Sequence, residues 1–225
     1  MLALIAKDIT VQKRSLLLFV LAGLFMTFVF SMTDEAGITA MVMPVFVVGY
    51  SYASRSLYED EKNHALRLIL AFPLARKQIV RAKYVSIALV FLPLTVGFWL
   101  LGRPLGFISD SWELAVLQLS AVILAFAIVV SFFLPIAFKL GMIRAQTLQR
   151  FVILGLFAFG MAGGYVFTRL GNNGSGPPEW LKNFSNHISR LSPSRVSLVL
   201  LLAAVLIYVL SAQLAVRFFE RRELF

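Results

Sequence analysis

The sequence predicts an all-α polytopic membrane protein with six transmembrane helices, both termini cytoplasmic, and a cytoplasmic helical element between spans two and three. Two observations carry this. Apolar stretches occupy residues 16–32, 38–53, 84–101, 111–138, 148–168 and 196–216. Most approach the ~20 residues needed to cross a hydrocarbon core of about 30 Å. The basic residues, meanwhile, collect in alternate gaps. Only Arg103, Arg169, Lys182, Arg190 and Arg195 fall on the side opposite the N-terminus, leaving 16 of the 21 Lys and Arg with it. The positive-inside rule then makes that richer side cytoplasmic.

Composition points the same way. Hydrophobic residues make up 60% of the chain and charged residues 14%, with a mean hydropathy of +0.85. Soluble domains carry about 25% charged residues, so the membrane class is selected before any motif is read. The net charge of +10 follows the membrane topology, which argues against a nucleic-acid partner. Cysteine is absent, which removes disulfides, thiolate catalysis and iron–sulfur ligation. No gap between the spans has room for a separate soluble domain, so an ATPase would have to be another chain.

Residues 1–14 admit two arrangements. Leu2, Ile5 and Ile9 share a helical face, as in a short amphipathic helix lying in the interface; the same residues also fit a cytoplasmic extension of the first span. That span is too long for a signal-peptide core, and no small-residue cleavage site follows it. The short turn at 33–37 makes spans one and two a tight hairpin. Span two looks short, but its helix can run on through Arg55. The main cytoplasmic feature covers 54–83. Its acids Glu59, Asp60 and Glu61 suit the positive start of a helix. Leu66, Ile69 and Leu70 follow at helical spacing. Pro73 then ends that helix, because the residue before a proline is pushed out of the α region. A second short helix with Arg76, Lys77, Arg81 and Lys83 leads into span three. Span four meets Pro135, where a kink is expected. The outer segment 170–195 opens on Gly and Asn, then carries Trp180, Leu181, Phe184, Ile188 and Leu191 at roughly helical spacing.

The chemistry is sparse. Within the spans the only ionisable group is Glu113, which counts against an ion-coupled carrier. The histidines His64 and His187 lie on opposite sides of the membrane, and no His-Glu-x-x-His or Gly-x-Ser-x-Gly motif occurs. No catalytic residue and no metal site is expected, and Glu59–Glu61 read as a helix-start cluster rather than a Mg²⁺ site. A Walker motif is also absent, so the chain is not expected to bind ATP itself. Gly160 and Gly164 form a small-xxx-small pair suited to close helix approach. That pair, or Ala22-Gly23 in the first span, is a candidate dimer interface.

The run Tyr58-Glu59-Asp60-Glu61-Lys62, followed by residues 68–84 with Phe72-Pro73-Leu74-Ala75-Arg76 and Val80-Arg81-Ala82-Lys83-Tyr84, resembles the cytoplasmic signature of type-two ABC exporter permeases. Ala6-Lys7-Asp8-Ile9 and Glu220-Arg221-Arg222-Glu223-Leu224 are similar to that family's ends. The small permeases of bacteriocin and cytolytic-peptide exporters are the most similar branch. Two positions depart from the pattern. Ala75 stands where a Ser or Thr often caps the second helix, a loss of about 1 kcal/mol, and Phe72 replaces the usual Leu.

The resemblance implies a transport subunit rather than an enzyme, multi-pass in a bacterial cytoplasmic membrane. It further implies two permeases joined to two ATP-binding cassette ATPases, which hold the ATP and Mg²⁺. Glu59, Asp60, Glu61, Leu66, Ile69, Leu70, Pro73 and Arg76 become the expected ATPase-docking residues, making 54–83 a coupling element. An uncharged, Phe- and Leu-rich interior suits amphipathic peptides, lipidic compounds or drugs. The competing classes are a non-transport membrane protein, such as an assembly or immunity factor, and an intramembrane enzyme.

Overall fold

Each apolar stretch in the described part of the chain becomes one long helix. The computed structural model describes residues 2–32, 39–62, 75–109, 111–142, 144–148 and 192–221. The helices are α1 (Leu2–Ser31), α2 (Thr39–Lys62), α3 (Arg76–Gly102), α4 (Trp112–Leu140) and α5 (Pro193–Glu220). All but α2 are long and apolar enough to cross a membrane. The expected fifth span, residues 170–191 of the outer segment, Gly160 and Gly164 lie outside the described residues, and residues 193–195 of that segment form the first turn of α5.

Residues 2–31 form one helix, so of the two arrangements open for residues 1–14 the extension of span one is realised and the separate interfacial helix is not. At 1.5 Å per residue, α1 is about 45 Å long, longer than a hydrocarbon core is thick. Glu59, Asp60 and Glu61 close the last turns of α2 instead of opening a new helix. Arg76, Lys77, Arg81 and Lys83 are the first turns of α3 rather than a separate short helix. The start of α3 does follow the sequence. Ala75 is its N-cap in extended conformation with no side-chain cap, and Gln78 N–H donates to Ala75 O at 2.8 Å.

The faces of α1 and α5 are inverted relative to a soluble protein. On α1 the buried stripe is Ile5, Asp8, Gln12, Ser15, Gly23 and Thr27, while Leu17, Leu18, Leu21, Phe25 and Phe28 are exposed. On α5, Ser197, Ala204, Ser211 and Ala215 are buried, and Leu198, Leu202, Val205 and Leu206 are exposed. Small and polar residues therefore mediate helix contact while the large apolar ones face outward, the arrangement lipid demands.

The interior is aromatic. Phe91 and Phe126 stack with centroids 3.5 Å apart, and Phe46 meets Phe126 edge-on at 5.9 Å. Gly49 brings α2 onto this stack; a Cβ there would fall 2.7 Å from both rings. The most extensive helix contact is between α4 and α5, and α3 contacts each of the other four helices. At one end of the bundle, Trp99 Nε1–H donates to Ala115 O at 3.2 Å, and Arg103 lies over the Trp112 ring. Phe30 packs on Phe107 at this same end. The opposite, basic end gathers the start of α1, the end of α2, the start of α3 and the ends of α4 and α5. Gly141, at φ 90°, terminates α4 there and allows the chain to turn into the short helical stretch at 144–148.

Candidate functional site

The basic end holds four charged side chains in an arrangement their sequence positions do not announce. Lys83 lies two turns into α3 with its side chain 5% exposed, and Asp8 and Asp60 are 4% and 6% exposed. The Lys83 ammonium pairs with Asp8 Oδ1 at 2.8 Å and Asp60 Oδ2 at 2.5 Å, and donates to Ser56 Oγ at 2.8 Å. Lys7, one residue before Asp8, reaches Asp60 Oδ1 at 2.6 Å. Two carboxylates and two ammonium groups thus neutralise each other at the junction of α1, α2 and α3.

This neutrality explains why the charges can be buried. An isolated charge out of water is strongly unfavourable, while a set of opposite charges in direct contact is tolerated. It also offsets an unfavourable dipole at Asp60, which sits at the negative end of α2. Asp60 is held there by its cationic partners, not by its own helix.

Beside the cluster, Glu61 Oε2 accepts the Met142 N–H, joining the end of α2 to the chain just after α4. A small void of about 20 Å³ lies below, bounded by Asp60, Glu61 and Lys83 on one side and Phe138 and Phe219 on the other.

Tyr84, adjacent to Lys83, grips the opposite neighbours. Its hydroxyl donates to Ser211 Oγ at 2.8 Å, and Ser211 in turn donates to Ser131 O at 2.7 Å. Tyr208 Oη donates back to Tyr84 O at 2.8 Å, with the two rings edge-on at 5.0 Å. Lys83 therefore ties α3 to α1 and α2, and Tyr84 ties it to α5 and α4.

Arg76 completes the set. Its Nη1 donates to Phe219 O and Glu220 O, each at 3.2 Å, and its guanidinium lies 6.0 Å from the Phe219 ring. Carbonyls at a helix C-terminus lack intrahelical partners, and a cation there is favourable on both hydrogen-bonding and dipole grounds. Phe219, fully buried, packs edge-on against Phe138 of α4 at 5.4 Å. The residues flanking the segment between α2 and α3 are thus anchored to every other described helix.

A sequence profile for ABC-2 family transporter proteins matches residues 3–220. The chain belongs to the ABC-2 transporter family. No curated protein matches it. As an ABC-2 permease it is a membrane transport component without its own ATP site, from a family whose members work with an ATPase subunit.

The expected docking residues of the permease separate into groups. Asp60 points inward to Lys7 and Lys83, Glu61 to Met142, and Arg76 to the end of α5. Glu59 remains at the surface, 3.4 Å from Arg55. Leu66, Ile69, Leu70 and Pro73 lie outside the described residues. Of the dimer-interface candidates, Ala22 is exposed, but Gly23 is taken up by packing within the subunit. A Cβ on Gly23 would fall 2.8 Å from Phe98 Cζ and 2.9 Å from Val48 Cγ2. Among the described residues no cluster of His, Cys, Asp or Glu could hold a metal ion.

Sequence reasoning missed the partnership of Asp8 with Lys83. The available signal was Asp8 itself, an acid on the same helical stripe as Ile5 and Gln12, which water could not solvate if the helix continued into the membrane.

Proposed function

We propose that this permease is the membrane-spanning subunit of an ABC exporter, driven by a separate ATPase that docks on the 59–76 segment, with two permeases and two ATPases in the working unit. ATP and Mg²⁺ reside on the ATPase, and this chain binds no cofactor. The charge distribution supports a cytoplasmic position for the segment. In this reading both termini lie on that side of a bacterial cytoplasmic membrane, and six spans cross it.

One observation carries the proposal. The two ends of the segment are rooted in buried ionic and hydrogen-bonded contacts with all the described helices, through Asp60, Glu61, Arg76, Lys83 and Tyr84. A push on the segment would therefore be shared by the bundle instead of being absorbed by a loose loop. Leu66, Ile69 and Leu70 are the apolar docking residues of this reading, and Glu59 is the acid that precedes them in sequence. The large apolar side chains and scarce charges of the spans suit amphipathic peptides or lipidic cargo.

Co-purification with a P-loop ATPase tests this reading. Ile69→Asp should weaken the association while leaving membrane insertion intact, because an unpaired carboxylate in a dry interface costs a few kcal/mol. Equal binding by the variant and the parent would remove the segment as the docking element.

A further inference from the structure

The ionic cluster occupies one side of α2. A different side carries a polar stripe: Ser51, Ser54, Arg55, Tyr58, Glu59 and Lys62 line one cavity of about 520 Å³. Their spacing, three to four residues apart, makes them one helical stripe. Among the described residues, Phe19 of α1 and Gln146 complete the lining.

Three features define what this cavity would take. First, its charge is positive. Arg55 and Lys62 face a single carboxylate, Glu59, which pairs with Arg55 at 3.4 Å. The Lys62 ammonium lies 5.9 Å from the Tyr58 ring and has no carboxylate within ion-pairing distance among the described residues. Second, the hydroxyls of Ser51 and Tyr58 stand beside the cations and add neutral donors suited to a phosphate oxygen, while Ser54 Oγ–H donates to Ser51 O at 3.2 Å. Third, the stripe turns apolar toward the middle of the bundle. Val47 and Met43, one and two turns from Ser51, are 38% and 50% exposed. A soluble anion would have no use for that apolar extension, whereas an acyl chain would lie along it.

We propose that this face of α2 binds the phosphate headgroup of an anionic phospholipid in the leaflet at the basic end of the bundle. Arg55 and Lys62 hold the phosphodiester, the Ser51 and Tyr58 hydroxyls donate to its oxygens, and the acyl chain runs past Val47 and Met43. Basic pockets between transmembrane helices bind anionic headgroups on this physical ground.

The test uses the full chain in mixed micelles of detergent and phosphatidylcholine, titrated with phosphatidylglycerol or with further phosphatidylcholine. Thermal melting and native mass spectrometry of lipid adducts provide the readouts. Phosphatidylglycerol should raise the melting temperature and form a retained adduct, and phosphatidylcholine should do neither. Arg55→Gln and Lys62→Gln should each weaken the apparent affinity roughly fivefold. Lys13→Gln with Arg14→Gln removes the same charge from an exposed part of α1 and should leave the response unchanged. Inorganic phosphate at the same concentration should not reproduce the shift. A full response in the Arg55→Gln, Lys62→Gln double variant would overturn the proposal. So would an equal loss in the Lys13, Arg14 control, or a shift produced by phosphate alone.

Discussion

Replacing Lys83 with methionine isolates the ionic cluster. The side chain keeps its approximate length and apolar stem but loses the ammonium. In the parent, that group pairs with Asp8 at 2.8 Å and Asp60 at 2.5 Å. The variant leaves two buried carboxylates facing only Lys7, whose side chain is 33% exposed. Breaking a buried pair by removing one partner costs about 3–5 kcal/mol, because the remaining charge stays desolvated. Asp8→Asn in the same background removes one of the stranded charges and should recover a large part of the loss. Single and double variants can be compared by denaturant unfolding in a fixed lipid–detergent mixture, giving a coupling energy of about 0.5–3 kcal/mol for the pair. The cluster would lose its structural role if Lys83→Met cost under about 1 kcal/mol, or if the two substitutions were simply additive.

Topology is testable with single cysteines, since the chain has none of its own. An impermeant reagent applied to intact cells should label Asn173→Cys and spare Asn63→Cys; the reverse pattern would invert the orientation. Gly49→Ala should destabilise by about 1–3 kcal/mol through overpacking, because its Cβ meets the Phe91 and Phe126 rings at 2.7 Å. Gly97→Ala has nothing within 4 Å, and unfolding measurements should find it neutral or stabilising by up to about 1 kcal/mol. If two permeases meet along the fifth span, Gly164→Leu should abolish an intersubunit crosslink between cysteines placed at Gly160, and a crosslink that survives would exclude the interface.

The sequence was most legible where a residue's preference acts alone. Apolar runs marked the helices later described as α1, α3, α4 and α5, since a span of about 20 apolar residues has few alternatives. The start of α3 at Ala75 came instead from the family resemblance, since alanine has no capping preference of its own. Legibility failed where two distant residues settle one another's environment. Lys83 by itself prefers water, as does Asp8, and counting both as solvated charges follows from single-residue energetics. The structure buries them because each removes most of the other's desolvation penalty.

The same pairing accounts for two helix boundaries. Residues 1–14 fit either an interfacial helix or an extension of the first span, and α1 is continuous because Asp8 is neutralised from α3 rather than by water. Glu59–Glu61 suggest a helix start by their sign, yet they end α2 because Lys7 and Met142 N–H satisfy Asp60 and Glu61 from outside the helix. At the end of α2 a tertiary partner thus reverses a local electrostatic preference worth about 0.3–1 kcal/mol. That reversal lies at the root of the segment proposed to dock an ATPase. The departure from local rules falls where ion pairs tie α1, α2 and α3 together.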